Sequence, residues 1–260
     1  MRWALADTWT ITRRDLIHWT REPGSVLFGL FFTIMIALIF GYLLGGAMNV
    51  PGGGDYKQFL MPGMFAMNML FGIGATMTAI AQDLTKGVTD RFRSMPMSPA
   101  AVLLGRSLAD MIDSVLLLAV LVGCGLFMGW HSDGSPGDTA LAFALLLLVR
   151  FAFIWVGIFC GLMASNQAMV TAIQTMEFPI GFLSSAFIPT STMPSWLGAI
   201  SEWNPLSSTV TAIRELFGNP GVTSDSWITQ HALLMAVVWP VVLLAIFFPL
   251  AVRRYRRLSR

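Results

Sequence analysis

Charge is what this sequence lacks most. Only 12% of its 260 residues are Asp, Glu, Lys or Arg, against 55% hydrophobic ones, and the mean hydropathy is +0.69. So few polar side chains cannot cover a water-facing globule of this size, which excludes a soluble domain and leaves an integral membrane protein. No GxxxxGK[ST] phosphate loop occurs, so the chain is not expected to bind and hydrolyse ATP alone. HExxH and GxSxG are also absent, and His18, His131 and His231 are scattered along the chain, which argues against a hydrolase or a metal enzyme. Cys124 and Cys160 each sit inside an apolar run, with no CxxC and no Cys/His cluster. A disulfide framework is therefore not expected, and the thiols read as small hydrophobes. The net charge of +2 says little about partners by itself, and no nucleic-acid partner is expected.

What is there is long apolar runs. A crossing takes about 20 apolar residues, and six stretches qualify, at 24–46, 59–82, 102–130, 139–164, 168–188 and 228–250. The basic residues set an orientation. Arg2, Arg13, Arg14 and Arg21 precede the first span, Lys86, Arg91, Arg93 and Arg106 flank the second loop, and Arg253, Arg254, Arg256, Arg257 and Arg260 close the chain. The opposite side holds only Lys57 and Arg214. The positive-inside rule places both termini in the cytoplasm of a multi-pass protein of the cell membrane, as an even span count requires. No repeat or separate soluble domain is visible, so residues 1–260 read as a single transmembrane domain of all-α class.

Residues 1–22 are too interrupted by charge for a secretory signal. Wound as a helix, Leu5, Trp9, Thr12, Leu16 and Trp19 share one side, with Asp7, Arg14, His18 and Arg21 opposite. That is the pattern of an amphipathic helix in the cytoplasmic membrane interface. Between spans five and six, residues 189–221 are too apolar for a solvated loop and are broken by Pro189, Pro194, Pro205 and Pro220. They read as short re-entrant helices in the outer leaflet, with Trp196 and Trp203 at headgroup depth.

The polar exception is the stretch DLTKGVTDRFRSMPMSP at 83–99. A short charged helix over Thr85 to Arg93 is expected to stop at Pro96, with Ser98 and Pro99 opening the next helix as N-cap and first position. Such a helix, held on a hairpin between two membrane spans, is a lever for another protein to push; composition alone favours a solvated loop that only enforces topology.

The run KGVTDRFRSMPMSPAAVLLGRSLAD resembles the corresponding loop and third span of type-two ABC exporter permeases, in particular the daunorubicin-resistance-type membrane subunits. Gly87, Asp90, Arg91, Pro96, Ser98, Leu104, Gly105 and Arg106 carry the match. YKQFLMPGM at Tyr56 to Met64 resembles the entry to the second span of that family, and FPIGFLSSAFIPTSTMPSWLGAISEWNPLSSTVTAIREL resembles its fifth span and outer region. Where the family has an acidic residue just before the loop glycine, this chain has Lys86, with Asp83 the nearest acid upstream. The resemblance implies one membrane subunit of an ATP-driven exporter that moves amphipathic drugs, antibiotics or lipid-like compounds outward. A second permease chain, identical or not, would pair with it. A separate ATPase subunit would carry the ATP and Mg, so no cofactor is expected on this chain. It further implies that Asp83, Lys86, Asp90, Arg91, Phe92 and Arg93 couple to that ATPase.

Two sets of intramembrane residues stand out. Met61, Met64, Met67 and Asn68 open span two at helical spacing; flexible thioethers suit a path for varied apolar substrates, though plain packing explains them as well. Arg150 and Glu177 fall about halfway along spans four and five, so an ion pair that fixes the packing of those spans is expected. The GxxxG spacings at Gly41/Gly45, Gly125/Gly129 and Gly157/Gly161 permit close helix approach. The rival reading is a proton-coupled secondary transporter with Asp110, Asp113, Arg150 and Glu177 as its relay. A non-transporting membrane assembly factor also fits the composition but explains none of the motif order.

Overall fold

The computed structural model describes residues 8–14, 23–44, 55–88, 99–219, 221 and 226–258. Among them there is no strand. The helices are α1 (8–14), α2 (Pro23–Ile39, running into a π turn over Phe40–Leu44), α3 (Tyr56–Thr85), α4 (Pro99–Phe127), α5 (Pro136–Met163) and α6 (Gln167–Phe182). A 3-10 turn at Thr190–Thr192 leads to α7 (Ser195–Glu202), α8 (Pro205–Phe217), the single turn α9 (Trp227–Gln230) and α10 (Ala232–Arg257).

Local chemistry places the ends. The Asp55 carboxylate accepts from the Lys57 amide to open α3. Ser135, followed by Pro136, caps α5; Asn166 caps α6; Asn204, followed by Pro205, caps α8. Each side-chain oxygen takes one of the amides that an initial helical turn leaves without a partner. Gly218, at φ +68°, closes α8 in the left-handed region where a Cβ is strained.

Four helices, α3, α4, α5 and α10, are long and apolar enough to cross a membrane. α2, with 17 residues before its π turn, and the 16-residue α6 are not among them. The fifth expected stretch ran to residue 188, but α6 stops at Phe182. The carbonyls of Ser185 and Ala186 instead accept from the guanidinium of Arg214, so the chain there has left the helical ladder. The sixth expected stretch ended at 250, whereas α10 continues to Arg257 and takes Arg254, Arg256 and Arg257 into its last turn, where cations suit the negative helix end.

α3 and α5 form the centre, parallel and in close contact. A Cβ on Gly157 would lie 2.7 Å from the Ile73 carbonyl oxygen, and one on Gly161 2.8 Å from that of Met77, so this GxxxG pair does bring two backbones together. α10 packs on the other side of α5, and α4 and α10 turn much of their apolar surface outward, as Leu116, Phe127, Val241 and Ile246 show.

The two ends of the bundle differ. At one, α1 lies on α4 and reaches the end of α3. Ile11 is buried with Ile80, Leu103, Ile158 and Tyr255. The Thr12 hydroxyl is shared between the carbonyls of Thr8 (2.9 Å) and Gly105 (3.0 Å), and Arg14 pairs with Asp83 at 3.2 Å. The docking face of this helix is therefore Thr8, Ile11 and Thr12, while Trp9 points outward at 58% exposure. The flanking expected residues Leu5, Asp7, Leu16, His18, Trp19 and Arg21 lie outside the described ones. At the other end, α8 is held against α3 and the α4–α5 turn. Trp130 meets Phe65 and Phe217 edge to face and donates its indole N–H to Asn219 at 2.8 Å. Asn219 donates to Gln58 at 2.9 Å, and the amides of Asp133 and Gly134 donate to the Phe217 carbonyl.

Candidate functional site: a polar cavity among five helices

A cavity of about 320 Å³ opens between α2, α3, α4, α5 and α6. Its position follows from small residues on α3. Gly72 lets the Arg150 guanidinium lie directly against the α3 backbone, where a Cβ would collide with it. Gly74, on another side of the helix, admits α6; a Cβ there would be 2.8 Å from both Cγ of Gln174 and Oε1 of Glu177. Gln174 secures that approach by donating to the Thr78 hydroxyl at 2.9 Å.

Arg150 is 3% exposed and Glu177 7%. An isolated charge at such a depth costs about 2.5–3.5 kcal/mol on insertion scales, so the partners matter. The Arg150 Nε donates to the Ser114 hydroxyl at 2.6 Å, and Ser114 donates onward to the Asp110 carbonyl at 2.7 Å. Nη2 of Arg150 reaches Thr76 at 3.4 Å, and Thr76 donates to Oδ2 of Asp110 at 2.7 Å. The other Asp110 oxygen pairs with Nε of Arg106 at 3.2 Å. A continuous polar chain thus runs from Arg106, near the α1 end, through α4 and α3 to the cavity wall.

The structure brings Arg150, Glu177 and Asn68 to one cavity, together with Asp113. It does not form the direct Arg150–Glu177 ion pair: the guanidinium is turned toward Ser114 and Thr76, and Nη1 of Arg150, Oε1 of Glu177 and Nδ2 of Asn68 are buried without a hydrogen-bond partner among the described residues. Each of the two residues lies against a different glycine of α3, Arg150 on Gly72 and Glu177 on Gly74. Met61, Met64 and Met67 are packed in the core, Met61 facing Gly125 and Met67 facing Gly181. Asp83 joins Arg14, and Lys86 caps α3 and is exposed. Asp90, Arg91, Phe92 and Arg93 lie outside the described residues.

Sequence reading passed over Arg214, which is fully buried. Its three nitrogens donate to the carbonyls of Phe59 (3.1 Å), Ser185 (2.8 Å) and Ala186 (2.8 Å). The one available signal was an arginine on an otherwise weakly charged outer segment, and that signal cannot tell a buried anchor from a surface charge. Gln58 and Asn219 were likewise unmarked, because single amides carry no pattern.

Comparison with known proteins places these features in context. The ABC-2 type transporter family model matches residues 6–217. The daunorubicin resistance ABC transporter permease protein DrrB1 of Streptomyces coeruleorubidus is 32% identical over 254 residues, covering 97% of this chain and 87% of that protein. The putative transport permease ycf38 of Cyanophora paradoxa is 23% identical over 88% of this chain and 78% of its own length. The probable doxorubicin resistance ABC transporter permease protein DrrC of Mycobacterium tuberculosis is 21% identical over 81% and 76%.

Proposed function

Since this chain belongs to the ABC-2 type transporter family, we propose that it is the membrane subunit of an ABC exporter that carries amphipathic drugs, antibiotics or lipid-like compounds out of the cell. It is a multi-pass membrane protein. In this reading α2 and α6 add two crossings to the four long helices, α7 and α8 form the outer re-entrant hairpin, and both termini face the cytoplasm. The protein sits in the plasma membrane, pairs with a second permease chain, and takes its energy from ATP and Mg bound on a separate ATPase subunit.

One observation carries the reading beyond family membership. α1 is clamped across the start of α4 and the end of α3, the two helices that bracket the charged 83–99 stretch. A push delivered there reaches the cavity through the Arg106–Asp110–Thr76–Arg150 chain. Asp83, Lys86, Asp90, Arg91, Phe92 and Arg93 are the coupling residues of this reading.

The test is reconstitution with a partner ABC-type ATPase subunit, using charge reversal of Asp90, Arg91 and Arg93. Loss of transport-coupled ATP hydrolysis in a correctly inserted variant supports the assignment. Unchanged coupling returns the stretch to a loop that only sets topology. The second reading, proton-coupled transport, rests on Asp113 and Glu177 both lining the cavity. Efflux driven by a pH gradient without nucleotide would favour it.

A further inference from the structure

The cavity wall is chemically lopsided. Arg150 supplies one cation, whereas Asp113 and Glu177 supply two carboxylates. Asp110 does not alter that balance, because Arg106 pairs with it. Asp113 makes no side-chain hydrogen bond to any described residue. Three buried polar atoms are also unpartnered in a way that sorts them: Oε1 of Glu177 accepts, while Nη1 of Arg150 and Nδ2 of Asn68 donate. Apart from Thr33, Ser114 and Gln174 the remaining wall is apolar and aromatic, with the rings of Phe71 and Phe178 4.8 Å apart.

We infer that this cavity binds the ammonium end of a cationic amphiphile, with Glu177 and Asp113 facing the cation and Arg150 and Asn68 holding an oxygen acceptor next to it. The inference rests on the exporter reading for its biological sense and names the substrate class of that site. Buried acceptors and donors without partners are costly in a medium that supplies none, so a ligand carrying one group of each kind satisfies both. An anionic ligand would face two carboxylates across a few ångströms, and a neutral one would leave them uncompensated. A bare metal ion would find only two carboxylates beside a guanidinium, a poor set for a hard cation that takes six or more oxygens. The aromatic wall suits a cation's neighbouring carbon skeleton, and adds attraction where a ring face meets the charge. A volume of about 320 Å³ lies at the small end of ligand pockets, which fits a compact two-ring body and not a long lipid.

The test uses the full chain in nanodiscs and two fluorescent probes that share a dansyl sulfonamide. Monodansylcadaverine ends in a primary ammonium, and its N-pentyl counterpart ends in a methyl group. The amine is expected to bind at least tenfold more tightly, and Glu177→Gln or Asp113→Asn should shrink that ratio at least fivefold. Glu177→Gln is nearly isosteric at an oxygen without a partner, so its melting temperature should match the parent; Glu177→Asp should recover part of the ratio. Equal binding of the two probes, or a ratio that neither variant changes, overturns the inference. Efflux of both probes from ATP-loaded vesicles with no preference for the amine would also overturn it while leaving the exporter reading intact. Selective binding that depends on Glu177, with no efflux when the ATPase is present, would uphold the site and sink the exporter reading.

Discussion

The guanidinium of Arg214 lies 3.6 Å above the ring of Phe59 and donates at 3.1 Å to the carbonyl of that same residue. One side chain therefore grips α3 by both face and backbone while its other two nitrogens hold the turn after α6. Removing the fork strands carbonyls in an apolar setting, at about 1–3 kcal/mol each. Arg214→Lys keeps the charge but not the planar fork, and should lower stability by about 2–4 kcal/mol. Thermal unfolding in detergent, followed by intrinsic tryptophan fluorescence, reads the loss. A lysine variant that melts with the parent would mean that charge alone suffices.

The glycines of the α3–α5 contact should be unequal to the glycine on α4. At Gly161 a methyl group meets Ile80 Cβ at 2.7 Å and the Met77 carbonyl at 2.8 Å, both tied to backbone, whereas at Gly125 it meets the flexible end of Met61 at 2.8 Å. Gly161→Ala is expected to cost about 1–3 kcal/mol; Gly125→Ala should cost clearly less. Equal melting temperatures for the two variants would contradict the close-approach account.

The Arg14–Asp83 bridge is partly exposed, its side chains 37% and 25% accessible. Pairs of that kind contribute about 0–1 kcal/mol, so a double-mutant cycle with Arg14→Gln and Asp83→Asn should give a small stabilising coupling. The same cycle scored by ATPase coupling should show a larger effect, because the bridge joins α1 to α3. A coupling in stability with none in ATPase activity would make the bridge a simple staple.

Ile200 and Trp203 on and after α7 are exposed at 54% and 62%, although no soluble protein gains from showing both. In a chain lacking Cys124 and Cys160, a cysteine at Ile200 should react slowly with a water-soluble maleimide, while one at Asp138, in the exposed first turn of α5, reacts fast. Equal rates would place α7 in water and remove the basis for a hairpin in the outer leaflet.

Helix content and the start of α4 were legible in the sequence because caps and prolines act locally: Pro99 stands at the first position of that helix, and Pro136 and Pro205, which were not read that way, open helices for the same reason. The Gly157/Gly161 spacing pointed correctly to a close contact, and Arg150 and Glu177 were marked because charge in an apolar run is rare. Their partners were not legible. Which way a long side chain turns depends on the glycine it lies against, and the two residues that spacing alone had paired lie against different ones, Gly72 and Gly74. The end of α6 was missed for a related reason, since its cause, Arg214, lies a whole segment away in the chain.

Asn219 and Gln58 are 161 residues apart, and Arg214 and Phe59 are 155. That separation has a meaning in time. At about 5–20 residues per second of synthesis, Phe59 is in place for roughly 8–30 s before Arg214 leaves the ribosome. During that interval the Phe59 end of α3 has neither the Arg214 clamp nor the Asn219 amide on Gln58. The nascent chain closes like a drawstring bag, mouth last, and a chaperone or insertase that shields this half-made rim would act only until α8 arrives.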